Sequence, residues 1–407
     1  MKKGLLFLLL IFTYFNTFAQ LDREHWFAPV LDGNLNGSDV QRIYLSTNET
    51  TPFQVRVYNN NILRTTLTVS KGNPVYWDVP RNYIFSDEYT SDHFKVSTKG
   101  LYLNGDKPYF ASLRFSIQQH GEILTSKGTA GIGTEFRAVV APITVNASVL
   151  NFTTGILATE DNTQVTVSDY GSNIRFGDGQ QRPQITFTLN KGQSYIIDGT
   201  SAYSQNWTGF IGAKIVANKN ISVTNGNFTG QYAGSYSNSS DILMDQGVPI
   251  DKLGKEFVLM KGNGTTSSNM EKALVVATVD GTKVFLNNST TAAATLNAGE
   301  YFLTPNNAYI NHGSNHYNMR VTTTENAYVY QLLAGDNGSS MVATGGMNYI
   351  PPLSCYLPKK IDEIGMIDQN RVYLTNSGWQ NSIPTKLNII TEKAASETGG
   401  HLSVYRN

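Results

Sequence analysis

Short stretches in which apolar and polar residues alternate recur along the chain. Gln164-Val165-Thr166-Val167, Gln184-Ile185-Thr186-Phe187-Thr188-Leu189 and Ser194-Tyr195-Ile196-Ile197 are examples, all rich in β-branched or aromatic residues. A period of two predicts strands with one face toward a core. Turn chemistry separates them at Asp161-Asn162, Gly177-Asp178-Gly179 and Asn190-Lys191-Gly192. Asx residues close local turns and glycine tolerates positive φ, so these are strand-to-strand connections. No helical period with capping signals persists along the chain; a single turn is expected at Asp251-Lys252-Leu253. The pattern predicts an all-β chain.

The strand pattern is duplicated. Ile132-Gly133-Thr134-Glu135-Phe136 returns as Leu253-Gly254-Lys255-Glu256-Phe257. Ala158-Thr159-Glu160-Asp161-Asn162-Thr163-Gln164-Val165 pairs with Ala277-Thr278-Val279-Asp280-Gly281-Thr282-Lys283-Val284. Leu189-Asn190-Lys191-Gly192 pairs with Leu296-Asn297-Ala298-Gly299, and the stretch Lys214–Val223 pairs with Met319–Val329. A more divergent copy precedes these, with Glu24-His25-Trp26-Phe27, Ser46–Thr51 and Val69-Ser70-Lys71-Gly72 at the matching places. The expected organisation is a leader over 1–19, a divergent β unit over 20–131, two closer copies over 132–252 and 253–358, and a partial fourth unit or truncated tail over 359–407. About seven strands in each unit of about 110–120 residues is the scale of a two-sheet sandwich. A β-propeller with two blades per unit is the alternative.

The order of these motifs resembles the IgG-Fc-binding protein N-terminal domain family. The junction Val248-Pro249-Ile250-Asp251-Lys252-Leu253-Gly254-Lys255-Glu256-Phe257 and the late segment Met347-Asn348-Tyr349-Ile350-Pro351-Pro352-Leu353-Ser354-Cys355 carry the same resemblance, which spans roughly residues 23–395. It implies an extracellular binding or adhesive module of the bacterial exported surface-protein type, with no catalytic residues to assign. It does not by itself imply that immunoglobulin is the ligand.

Composition changes this picture mainly by exclusion. Lys+Arg and Asp+Glu balance at 31 each and charged residues make up 15 %, so there is no basic footprint for nucleic acid. Cys355 stands alone, which rules out an internal disulfide or a thiolate metal cluster. Met1-Lys2-Lys3, the apolar run from Gly4 to Phe15 and Thr17-Phe18-Ala19 have the form of a secretory signal peptide cleaved between Ala19 and Gln20. No later stretch is apolar enough for a transmembrane helix. Export without disulfides suits a bacterial secreted or cell-surface protein.

Candidate chemistry is sparse. His312 and His316 have metal-ligand spacing but enclose Gly313-Ser314-Asn315, and a turn is expected. Asp32, Asn34 and Asn36 with Gly37 fit the start of a calcium loop that Asp39 could close, but Ile43 stands where a bidentate Glu belongs. An ordinary Asx-rich turn, and no metal, is the expectation. No Gly-x-Ser-x-Gly elbow occurs. Glu135 and Glu256 repeat between units, as do Asp161 and Asp280, which points to structural roles. Aromatics are the best binding material. Trp207, Tyr232 and Tyr236, with Tyr203, lie in a Ser/Gly/Asn-rich stretch without a counterpart in the third unit, and are expected as exposed ligand contacts. The reading is an exported binding or adhesion protein, not an enzyme and without cofactor, taking an extracellular protein or glycan. The alternative is a secreted carbohydrate-binding or glycoside-hydrolysing protein.

Overall fold

Burial along the strands follows the alternation in the sequence. Phe53, Val55 and Val57 are buried while Gln54 between them is exposed; Thr163, Val165 and Val167 are buried while Gln164 is exposed. The computed structural model describes residues 20–353 apart from 33–37, 88–91, 118–119, 148, 233–239, 263, 265–269, 314–315 and 335–344, and the backbone of 372–374 and 378–380. The described chain is all-β, with only short 3-10 turns. One of these, Ile250–Lys252, falls where the single turn was expected.

The first unit contains β1 (Asp22–Phe27), β2 (Val30–Asp32), β3 (Ser38–Ser46), β4 (Phe53–Asn59), β5 (Ile62–Val69), β6 (Val75–Asp78), β7 (Phe85–Asp87), β8 (Leu101–Ile117) and β9 (His120–Thr125). The second contains β10 (Ile132–Arg137), β11 (Asn151–Ala158), β12 (Thr163–Ser168), β13 (Ile185–Leu189), β14 (Ser194–Thr200), β15 (Lys214–Gly230) and β16 (Asp241–Gln246). The third contains β17 (Gly254–Met260), β18 (Lys272–Ala277), β19 (Thr282–Leu286), β20 (Ala294–Leu296), β21 (Tyr301–Leu303), β22 (Ile310–Asn311), β23 (Tyr317–Leu333) and β24 (Gly346–Tyr349). Strand order repeats: β5-β4-β8-β3-β6, β13-β12-β15-β11-β14 and β20-β19-β23-β18-β21, with β1, β10 and β17 added on the long strand.

One strand of 17 residues organises each unit. The first part of β15 pairs with β10 and β12, its later part with β11 and β16. β8 and β23 divide in the same way. A strand that crosses from one sheet to the other joins two layers into a curled sandwich. This is the sandwich-like repeat and not the propeller. The register repeats as well. Asp22 faces Tyr109 and Glu24 faces Asn104; Gly133 faces Ile221 and Glu135 faces Val216; Gly254 faces Ala327 and Glu256 faces Thr322, each pair flanking a bulge.

The repeated polar motifs hold turns. Asp161 accepts a hydrogen bond from the Lys191 amide at 2.9 Å, and Asp280 accepts one from the Ala298 amide at 2.9 Å. Thr163 and Thr282 donate to the carbonyls of Glu160 and Val279. Gly72, Gly192 and Gly299 take φ of 74°, 79° and 86° in the matching turn, a conformation that would strain a side chain. Glu135 pairs with Lys214 and Glu256 with Arg320 across neighbouring strands. The duplicated carboxylates therefore serve the fold.

The units share apolar cores. Leu274, Val276, Tyr328, Tyr330 and Leu332 of the third unit pack into the same cluster as Phe136, Val140 and Phe152 of the second. Trp26 and Ala28 of the first pack on Leu157 of the second. A Cβ on Gly155 would lie 1.9 Å from the Pro29 carbonyl oxygen, so this sheet face meets the first unit backbone to backbone. Asp245 ties all three units, accepting from Lys127 and from the Tyr349 amide. The corresponding outer face of the first unit is uncovered among the described residues. There Tyr44 stands at the register position of Gly155, with Tyr76 opposite it (44 % exposed) and Ile123 nearby (54 % exposed). Arg42 and Arg114 lie over Tyr76 and Tyr44.

His25 occupies the position held by Phe136 and Phe257. Its Nε2 lies 2.9 Å from the Tyr109 carbonyl oxygen and 3.2 Å from that of Asp22, so Nε2 carries the proton and donates. Nδ1 is buried without a partner. Burial lowers the His25 pKa from 6.5 to about 4. Because the folded state binds fewer protons than the unfolded state in this window, the stability present above pH 6.5 falls as pH drops through about 4. The full loss corresponds to about 3 kcal/mol. Urea melts between pH 7 and 4 are expected to show this slope, and His25→Phe is expected to remove it. An unchanged slope in the variant would assign the acid sensitivity elsewhere.

Candidate functional site

Cross-strand pairing in the first unit assembles a row of aromatic residues. β4, β8 and β1 place Tyr58, Tyr102 and Trp26 side by side, with Tyr102 opposite both others. Ring centroids are 5.6 Å apart for Tyr58 and Tyr102 and 5.0 Å for Trp26 and Tyr102. Trp26 is buried, whereas Tyr58 and Tyr102 are half-buried. Strands rich in aromatics pair well at such neighbouring positions, which explains why the row is stable here.

A polar row runs beside it. The Tyr102 hydroxyl donates to Glu24 Oε1 at 2.6 Å, and the Asn104 amide nitrogen lies 3.3 Å from the same oxygen. Burial and the Glu24 carboxylate push the Tyr102 hydroxyl pKa upward, so it remains a donor at any physiological pH. Arg56 pairs with Asp106 at 2.9 Å. From the second unit the Lys191-Gly192 turn reaches over this surface, with Lys191 Nζ 5.4 Å from the Tyr102 ring centroid. The turn packs on Asn60 and Asn61 at the tip of the β4–β5 hairpin. Between them lies a small crevice with room for about one water molecule, lined by Trp26, Tyr58, Tyr102, Asn60, Asn61 and Lys191 among others. It offers aromatic surface, amide donors and acceptors, and one cation, which is recognition chemistry.

The row is peculiar to the first unit. Its register positions are filled by Ser168, Lys214 and Arg137 in the second unit, and by Asn287, Arg320 and Val258 in the third. The sandwich thus closes twice without these rings. Sequence reasoning passed over Tyr58 and Tyr102 because they are 44 residues apart. Alignment of the three units on Glu24, Glu135 and Glu256 carries the signal that finds them.

The expected aromatic loop is only partly a surface. Trp207 is half-buried, its Nε1 donating to the Ser201 carbonyl at 2.9 Å, and Tyr203 is exposed with Arg175 over its ring. Tyr232 corrects the expectation of exposure, being 7 % exposed and part of the shared core. β15 runs on to Gly230, so Tyr232 leaves its end directly against the third unit, where its hydroxyl donates to the Leu333 carbonyl. Burial pushes that hydroxyl pKa upward. Tyr236 lies outside the described residues, as do Asn34, Asn36 and Cys355. The backbones of Asp32 and Asp39 belong to β2 and β3. His312 and His316 close a turn, with the His312 amide donating to the His316 carbonyl. Among the described residues, no group of three or more His, Cys, Asp or Glu side chains could hold a metal ion. No helix among them is long and apolar enough to cross a membrane.

The chain matches a known protein family. The family model described as IgGFc binding protein matches residues 121–403, starting in β9. The aromatic row, except for Lys191 and its turn, therefore lies ahead of the matched region. No curated protein and no solved structure matches the chain.

Proposed function

The chain belongs to the IgGFc-binding protein family, and from that membership we propose that it is an exported, cell-surface or secreted binding protein that attaches to an extracellular protein or glycan without catalysing a reaction. The observation that carries the choice of surface is the aromatic row Tyr58–Tyr102–Trp26, present in one copy of a thrice-built sandwich. Tyr58 and Tyr102, half-buried rings at positions where two sister units fold without them, are available for a ligand over the buried Trp26, and aromatic side chains dominate binding energy at such surfaces. The leader-like residues 1–19 support export. Trp207 and the stretch containing Tyr236 are a second, smaller contact in this reading. Tyr232 holds their base.

The test is a screen of the mature chain on glycan and protein arrays, with immunoglobulin Fc among the probes. Affinity for any hit is then compared with that of a Tyr58→Ala/Tyr102→Ala variant. The expected loss is about 30-fold or more, the scale of an aromatic hot spot of about 2 kcal/mol. A variant that binds as the parent does would remove the row from the site. Release of reducing ends from any glycan hit would overturn the non-catalytic reading.

A further inference from the structure

The glutamate repeated at the bulge of each unit has a different neighbour in the first one. In the second unit Glu135 Oε1 lies 3.1 Å from Lys214 Nζ, and in the third Glu256 Oε1 lies 2.8 Å from an Arg320 guanidinium nitrogen. Lys214 stands opposite Arg137 and Arg320 opposite Val258, two residues beyond each glutamate. The same register position in the first unit, opposite Trp26, holds Tyr102. Directly opposite the glutamate stands Asn104, where the sister units have Val216 and Thr322. Glu24 has thus exchanged its cation for two neutral donors. Both reach Oε1, the Tyr102 hydroxyl at 2.6 Å and the Asn104 amide nitrogen at 3.3 Å, and Oε2 accepts from no described residue. Among the described residues no cation pairs with Glu24. Arg56 is paired with Asp106 at 2.9 Å, and Lys191 Nζ lies 5.4 Å from the Tyr102 ring centroid.

We propose that the aromatic row seats a lysine or arginine side chain of a protein partner, which pairs with Glu24 and completes from outside the ion pair that the sister units complete internally. This rests on the reading of the row as the ligand site, and names what that site takes. A half-buried carboxylate oriented by neutral donors keeps its charge while losing part of its water. An incoming cation therefore gains more there than at an open surface, and a charge-assisted hydrogen bond is the stronger kind. The half-buried rings of Tyr58 and Tyr102 stand beside it, and their π faces attract an ammonium or guanidinium. Lys191 already shows that attraction from within the molecule. The shape of the place selects a slender group. The crevice has room for about one water molecule, too little for a sugar ring. Lysine and arginine lay their methylenes along apolar surface and extend only a charged head.

The experiment titrates the mature chain with Nα-acetyl-lysine amide, Nα-acetyl-arginine amide and the uncharged Nα-acetyl-norleucine amide, followed by NMR chemical shifts. The two cations are expected to bind about 10-fold or more tighter than norleucine, the scale of one hydrogen bond to a charged group. Glu24→Gln keeps an acceptor for the Tyr102 hydroxyl and is expected to erase that preference. Tyr102→Lys rebuilds the pair of the sister units and is expected to fold, by circular dichroism, and to bind neither cation. Equal binding of the three probes, no binding of either cation, or a preference that survives Glu24→Gln overturns the inference. Glucosamine binding in place of the amino-acid amides overturns it too. The reading beneath it is judged separately. An array hit lost in Tyr58→Ala/Tyr102→Ala but unchanged in Glu24→Gln overturns the cation and keeps the row, whereas a hit unchanged in both removes the row itself.

Discussion

Replacing Tyr328 by Ala is expected to lower stability by about 3–5 kcal/mol, the range for truncating a buried aromatic residue. The ring is fully buried in the cluster shared by the second and third units. Its hydroxyl accepts from the Arg137 amide at 3.2 Å and donates to the Val248 carbonyl at 2.7 Å. Both partners belong to the second unit, so truncation opens a cavity at the interface and orphans two backbone groups. Tyr328→Phe separates these effects. It keeps the packing and is expected to lose about 1–3 kcal/mol for the unsatisfied amide and carbonyl. Urea unfolding of both variants is the check. A Tyr328→Ala midpoint close to the parent's would mean that the interface contributes little to holding the third unit in place.

Gly155→Ala should be the most damaging single-methyl change on the opposite side of the second unit. The added carbon would sit 1.9 Å from the Pro29 carbonyl oxygen and 3.0 Å from its carbon. Both clashing parties are main chain, so no rotamer relieves the overlap. The two units must separate, and Trp26 and Ala28 lose their contact with Leu157. Overpacking of a core usually costs about 1–3 kcal/mol, and a backbone clash belongs at or above the upper end. Thermal melts should show a lower midpoint. Protease cleavage is expected to appear first between the first two units. A variant as stable and as protease-resistant as the parent would show that this close approach is not needed.

The turns and the duplication were legible because their chemistry is local. Thr163 and Thr282 each donate to a carbonyl three residues back, and Leu-Asn-Lys-Gly and Leu-Asn-Ala-Gly announce the same turn. The long strands were harder to read. β15 passes through Asn218-Lys219-Asn220, residues that favour turns, and continues only because two sheets claim its two ends. β11 is buried on both faces, so Asn151–Ala158 has no alternation to detect. Tyr232 looked like loop material among Ser, Gly and Asn, and became core only because another unit lies against it. The aromatic row likewise exists only in register: nothing local in Tyr58 or Tyr102 says that the two rings meet.

Tyr44 also constrains how this molecule can change by gene duplication. A copied unit inserted beside the second or third would arrive with a docking face and a segment to receive the next one. A unit added ahead of the first would bring its chain to Tyr44, where the second unit has Gly155 and the third Leu274, and to Arg42 and Arg114 stacked over Tyr76 and Tyr44. Relatives of different length are therefore expected to gain or lose internal units and to keep a bulky, polar-edged first face, as the terminal units of repeat arrays do.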